Sequence, residues 1–122
     1  MNKALILMAH GSSDPRWREP FERVYQALGE RLATPLRLAY MELSEPSLET
    51  TVAELADAGT ERAEILPLFF AAGRHLRKDV PAQVEALGAR HPDIALTLLP
   101  PVGEHPDFIE ALAAVIAERA GE

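Results

Sequence analysis

The sequence contains no cysteine. That absence excludes disulfides, thiolate zinc sites, iron–sulfur clusters and cysteine nucleophiles together. Any metal ion has to be met by His, Asp or Glu. Aromatic residues are scarce at 6%, and Trp17 is the single tryptophan. Positive charge is also short. Twelve Lys and Arg stand against 19 acids, a formal net charge of −7, which argues against a nucleic-acid partner. The opening apolar run, Ala4 to Ala9, is shorter than the core of a signal peptide and far below the ~20 residues of a membrane span. A cytoplasmic protein without a membrane segment is expected.

What is present fits an ordinary globular chain. With 122 residues, 48% hydrophobic and 25% charged, residues 1–122 read as one domain, because two pieces would each be too small to hold a core. Roughly two-thirds of the extended-chain surface would be buried on folding. That supports a core, but not a core plus a large enclosed cavity. A large ligand has to lie on a rim or between subunits.

Four strand-like runs alternate with four helix-like runs. Lys3–Ala9 is nearly continuous in apolar residues and reads as a strand covered on both faces. Pro15 and Pro20 delay the next helix, and Phe21, Val24, Tyr25, Leu28 and Leu32 then keep helical spacing. Leu36–Met41 is the second strand. Ser44 is the expected N-cap of a helix over Glu45–Ala58, stopped by Gly59. The third strand is centred on Ile65–Phe70, with Pro67 suggesting an edge or a bulge. After a loop from Ala71 to Asp79, Val80–Ala89 reads as a helix and Ile94–Leu99 as the fourth strand. His105–Ala120 carries a stripe of Phe108, Ile109, Leu112, Val115 and Ile116. The alternation predicts a three-layer α/β fold: a four-stranded parallel sheet with helices on both faces. It does not specify strand order; the flavodoxin-like order 2-1-3-4 is expected because such sheets reverse direction next to the first strand.

Ligands of such sheets bind at the C-terminal ends of the strands. His10 follows strand one, Glu42 follows strand two, and His75 lies just past strand three. Two imidazoles and a carboxylate on one rim suit a divalent transition metal, or proton abstraction near neutral pH. Each also has a plain reading: His10 as a turn residue, Glu42 as a solvated rim carboxylate, His75 as loop surface. His105 is a fourth candidate or a helix cap, and His91 falls at the opposite end of the sheet. Arg16, Arg18, Arg74, Arg77 and Lys78 cluster beside His10 and His75, as expected if an anionic ligand approaches there. Trp17, in the same first loop, either stacks on a flat ligand or packs on the first helix.

These residues also resemble a family. Met8-Ala9-His10-Gly11-Ser12-Ser13-Asp14-Pro15-Arg16 looks like the opening motif of the small class II tetrapyrrole chelatases. Leu68 to Pro81, with Gly73-Arg74-His75 followed by Asp79-Val80-Pro81, looks like their second motif, and Glu42 to Leu48 is similar to the segment between them. The resemblance implies ATP-independent insertion of Co²⁺ or Fe²⁺, or Ni²⁺ in some relatives, into sirohydrochlorin or a similar anionic tetrapyrrole. It implies His10, His75 and Glu42 as metal ligands or proton acceptors. It places Ser12, Arg16, Trp17, Arg74, Arg77 and Lys78 on the tetrapyrrole, and it implies a homodimer of chelatase-like halves with no organic cofactor. Two other readings remain open. A non-catalytic metal or tetrapyrrole carrier would use the same rim. A histidine phosphatase would want Arg before His-Gly, where this chain has Ala9.

Overall fold

The computed structural model describes residues 2–71 and 73–122, the side chain of His75 excepted. Strands β1 (Lys3–Ala9), β2 (Leu36–Tyr40), β3 (Arg62–Pro67) and β4 (Ala95–Leu98) pair in parallel in the order β2-β1-β3-β4. The expected strand order and layering are both observed. The connecting helices are α1 (Pro15–Gly29), α2 (Leu48–Asp57) and α3 (Arg74–Arg90), and α4 (Pro106–Ala120) follows β4.

Right-handed crossovers dictate which face each helix covers. The chain moves outward from β1 to β2, then back past β1 to β3 and on to β4, so α1 lies on one face and α2 and α3 on the other. The buried cluster agrees. Ala4, Ile6 and Met8 of β1, with Ala39, Ala63 and Ile65, pack against Leu48, Val52 and Leu55 of α2 and Val80, Val84 and Leu87 of α3. Alternate strand positions point to the opposite face. There Leu7, Ala9, Leu36 and Tyr40 are buried, and the Tyr25 hydroxyl of α1 donates to the Leu36 carbonyl.

Several element boundaries differ from the sequence-based expectation, each for a local reason. Helix α1 begins at Pro15 rather than near Pro20, because the Asp14 side chain caps it by accepting from the Arg16 N–H at 2.9 Å. Pro20 is carried inside the helix at the cost of one ladder bond. The cap of α2 is Ser47, not Ser44; Ser47 accepts from the Thr50 N–H, while Ser44 is drawn off to bond with Ser12. Strand β3 is internal, not an edge, and ends at Pro67, so the missing N–H falls on its last residue, beyond the final β3–β4 pair of Ile65 with Leu98. Helix α3 starts at Arg74 and carries Pro81 inside it. The expected loop from Ala71 to Asp79 is therefore mostly helix, and Arg74, Arg77 and Lys78 stand on its first turns. Strand β4 is trimmed to Ala95–Leu98.

Helix α4 behaves differently from the other elements. His105 caps it and Gly121 closes it in the left-handed conformation, so both ends are well formed. None of its residues is buried, and Ile109, Val115 and Ile116 are each more than half exposed. It is held at its base, where Phe108 meets Phe70 edge-on at 5.5 Å. The preceding 3-10 turn over Val102–Glu104 presses Gly103 onto the chain after β3, and the Gly103 N–H donates to the Phe69 carbonyl at 2.9 Å.

A side chain at Gly103 would overlap the backbone of Phe70. Gly103→Ala is expected to lower stability by about 2–3 kcal/mol. Gly88, inside α3, faces open space, and Gly88→Ala should raise stability by roughly 0.5–1 kcal/mol. Urea unfolding of both variants checks the pair; equal midpoints would contradict the close approach at Gly103.

Candidate active site

The pairing of β1 with β2 does not stop where the regular strands end. The Met41 N–H donates to the Ala9 carbonyl at 2.9 Å, and the Glu42 N–H donates to the His10 carbonyl at 3.1 Å. The ladder thus carries His10 and Glu42 abreast onto the C-terminal rim. Their side chains meet, with His10 Nε2 3.0 Å from Glu42 Oε1. Both are about half exposed, at 52% and 51% of their side-chain surface. The Phe69 ring, from the segment after β3, lies 6.3 Å from the His10 ring in an edge-on arrangement.

This approach requires Gly11. Its φ is +102°, and a Cβ there would collide with the Glu42 carbonyl oxygen. Only glycine accepts both conditions. Beyond it, Leu43 adopts a left-handed φ of 63°, an unfavourable conformation for a branched residue, and its side chain points into solvent at 71% exposure.

The two loops are also tied by side chains. The Ser12 N–H donates to Ser44 Oγ at 3.0 Å, and the Ser44 hydroxyl donates to the Ser12 carbonyl at 2.5 Å. Ser12 Oγ accepts from the Asp14 N–H at 3.0 Å. Ser12 is therefore engaged in holding the His10 loop. Arg16 is likewise engaged, its guanidinium donating to both carboxylate oxygens of Asp14, with Nη2–Oδ2 at 2.9 Å. The side-chain bonds from Arg16, and then its backbone N–H, hold the Asp14 carboxyl below the ordinary carboxylate range. The cap consequently stays ionised until the pH falls below that range.

The remaining sequence candidates divide. Trp17 is 71% exposed, so it is displayed rather than packed into α1. With His10, Gly11, Ser12, Arg18, Phe21 and Tyr40 it lines a cavity of about 390 Å³. Tyr40 is buried, and that burial, with Glu22 nearby, pushes its hydroxyl pKa up. His75 occupies the second position of α3, directly after the rim segment that follows β3. Its side chain lies outside the described residues. Arg74 and Lys78 are exposed on the same first turns, and Arg77 edges a cavity of about 290 Å³ with Phe69, Leu76 and Pro81. His105 Nδ1 accepts from the Asp107 N–H at 3.1 Å, so this fourth candidate serves as the cap of α4. Two features escaped the sequence reading. The Glu42–His10 contact depends on register, and the aromatic cavity beside His10 depends on where α1 starts. Asp14, Pro15 and the Gly11 turn carried the only available signal for the second.

Chemically, the His10–Glu42 pair offers two things. A carboxylate beside an imidazole fixes the orientation of the ring. The same two atoms, about 3 Å apart, match neighbouring vertices of an octahedron whose metal–ligand bonds are about 2.1 Å long. Among the described residues no group of three or more His, Asp or Glu forms a metal-holding cluster. None of the described helices is long and apolar enough to cross a membrane.

Known proteins share this fold. The CbiX family model matches residues 4–119. A solved structure described as a CbiX protein of cobalamin (vitamin B12) biosynthesis from Marinobacter aquaeolei VT8 is 44% identical, with a TM-score of 0.90 over 98% of both chains. A sirohydrochlorin cobaltochelatase of Sulfurisphaera tokodaii is 26% identical over 97% of this chain and 91% of its own. A sirohydrochlorin ferrochelatase of Bacillus subtilis is 20% identical over 92% of this chain, which spans only 43% of that relative. The extent of the family match settles the affiliation: this chain belongs to the CbiX family of small class II chelatases.

Proposed function

We propose that this protein inserts a divalent metal ion, Co²⁺ or Fe²⁺ with Ni²⁺ as a further candidate, into sirohydrochlorin or a similar anionic tetrapyrrole. It does so in the cytoplasm, without ATP or an organic cofactor, as a homodimer of one-domain subunits. The observation that carries the reading is the His10–Glu42 contact at 3.0 Å on the sheet's ligand-binding rim. The names of the relatives, one a cobaltochelatase and one a ferrochelatase, support the substrate and the choice of metals.

Metalation replaces two pyrrole N–H protons by one M²⁺, so two protons leave for each ion inserted. His10 and Glu42 first hold the ion, with His75 of the same rim as the proposed third ligand. As the ion passes to the ring nitrogens, the His10 Nε2 lone pair and the Glu42 carboxylate are freed. They then accept the departing protons and pass them to water. An all N/O ligand set suits this transfer, because thiolates would retain a borderline ion. Half-exposure of the pair lets water and macrocycle reach it. Trp17 offers a flat face to the ring, and Arg74, Arg77 and Lys78 on the first turns of α3 draw its carboxylates. Arg16 and Ser12 act indirectly, by fixing the loop that carries His10.

The dimer is supported by α4. Its ends are capped, yet its apolar stripe is unburied, and a helix of this length is marginal in water without packing. A second copy would cover it and supply the other wall of a cleft for a ligand that one small domain has no room to enclose.

His10→Ala is expected to lower kcat/KM by roughly 100-fold or more, and Glu42→Gln by roughly 10–100-fold. Both are read from the absorbance change of sirohydrochlorin under anaerobic conditions with each metal in turn. Wild-type rates in a folded His10→Ala/Glu42→Gln double variant would remove the assignment. Turnover limited to one equivalent of protein would instead indicate a carrier. For the dimer, Ile109→Glu/Ile116→Glu should shift the light-scattering mass from twice the chain mass to the chain mass; a wild-type monomer would refute it.

A further inference from the structure

Arg18 carries an unmet bond that the metal site does not use. Its Nε is buried and has no hydrogen-bond partner among the described residues. Buried donors are nearly always satisfied, and an exception calls for a missing acceptor. Arg16, two positions earlier, is the opposite case: its side chain is 88% exposed and its guanidinium is spent on Asp14. Two residues on a helix differ by about 200° in direction. Arg16 therefore turns to solvent while Arg18 turns toward the sheet.

Arg18 stands where two cavities meet. The first, of about 390 Å³, holds His10 and is walled by Trp17, Phe21 and Tyr40. The second, of about 360 Å³, runs on past Tyr40 to Arg37 and Glu45. Arg18 and Tyr40 line both. Three aromatic rings beside one guanidinium make a surface for a flat conjugated body that ends in a carboxylate. The planar fork of arginine bonds a carboxylate through two parallel N–H groups. Glu22 and Glu45 line the second cavity and not the first; the Asp14 carboxylate, whose pKa is lowered by its bonds to Arg16 and further by the Arg18 charge, is already spent on Arg16.

We propose that Arg18, rather than Arg16, holds a peripheral carboxylate of the macrocycle, with Trp17, Phe21 and Tyr40 receiving the adjoining edge so that the ring approaches His10. The inference deepens the chelatase reading and rests on it for the identity of the ligand. Arg18 is a substrate-binding residue in this scheme, and it takes no part in proton transfer.

The test uses the sole tryptophan, Trp17, whose fluorescence reports ring binding directly. Uroporphyrin, a polycarboxylate that can be titrated without metal, is the probe, and its octamethyl ester is the uncharged comparison. Arg18→Met keeps the aliphatic stem and removes the guanidinium; Arg18→Lys keeps the charge and removes the fork. Arg18→Met should weaken uroporphyrin binding about 10-fold or more, and Arg18→Lys by less. Neither should alter binding of the ester. In the insertion assay, Arg18→Met should raise KM for sirohydrochlorin with kcat within about twofold. Arg16→Met is the competing variant, and an equal or larger loss with it overturns the proposal. An unchanged uroporphyrin affinity in a folded Arg18→Met also overturns it, even if wild-type protein inserts metal. If Arg18-dependent binding is seen but no metal is inserted, the chelatase reading fails and the carboxylate site stands.

Discussion

The rim depends on one close approach, that of Gly11 to the backbone of Glu42. The β1–β2 ladder runs past both strand ends, and the space a side chain at position 11 would need is filled by the Glu42 carbonyl. From that contact follow the adjacency of His10 and Glu42, the left-handed turn at Leu43, and the reciprocal Ser12–Ser44 bonds. The Ser12 hydroxyl oxygen in turn accepts from the Asp14 N–H, and the Asp14 side chain caps α1 and fixes Arg16. A chain of hydrogen bonds therefore links the His10–Glu42 pair to the start of the helix that walls the aromatic cavity. Such bonds hold the side chains of the rim in fixed positions, as a preorganised site requires.

The molecule is asymmetric about its sheet. On one face α2 and α3 bury a continuous aliphatic cluster in which Ala4, Ala39 and Ala63 let the helices come close. On the other face α1 has no fully buried residue, and α4 has none either. Stability resides on the first face, and the site lies at the rim of both. A second close approach, Gly103 on Phe70, ties the base of α4 to the segment that carries Phe69 toward His10. A partner seated on α4 would thus touch an element that also borders the site.

Much of this was legible in the chain. Alternating apolar runs and helical stripes sufficed for the layers, because crossover handedness leaves few alternatives; the strand order was expected by likeness to flavodoxin-like sheets rather than read from the pattern. The rim residues were legible because every strand end of a parallel sheet points the same way. Boundaries were less so. Ser44 and Ser47 are equally good caps in isolation, and only the demand of Ser12 for a partner separates them. Pro20 read as delaying its helix and Pro81 as lying in the first turn of its own, yet both sit well inside helices whose packing or capping outweighs one lost bond. Pro67 read as an edge signal and falls instead at the last residue of an internal strand.

Sequence alone therefore determined the class of fold, the absence of thiolate chemistry, and the sharing of one rim by His10, Glu42 and His75, since these follow from composition and periodicity. Tertiary structure decided which groups touch. It joined His10 to Glu42, turned Arg16 outward onto Asp14 and Arg18 inward to the aromatic cavity, and left the stripe of α4 uncovered. The physical reason is that periodicity specifies a face, whereas contact depends on register across strands distant in sequence, set by where a backbone can pass without a side chain in the way.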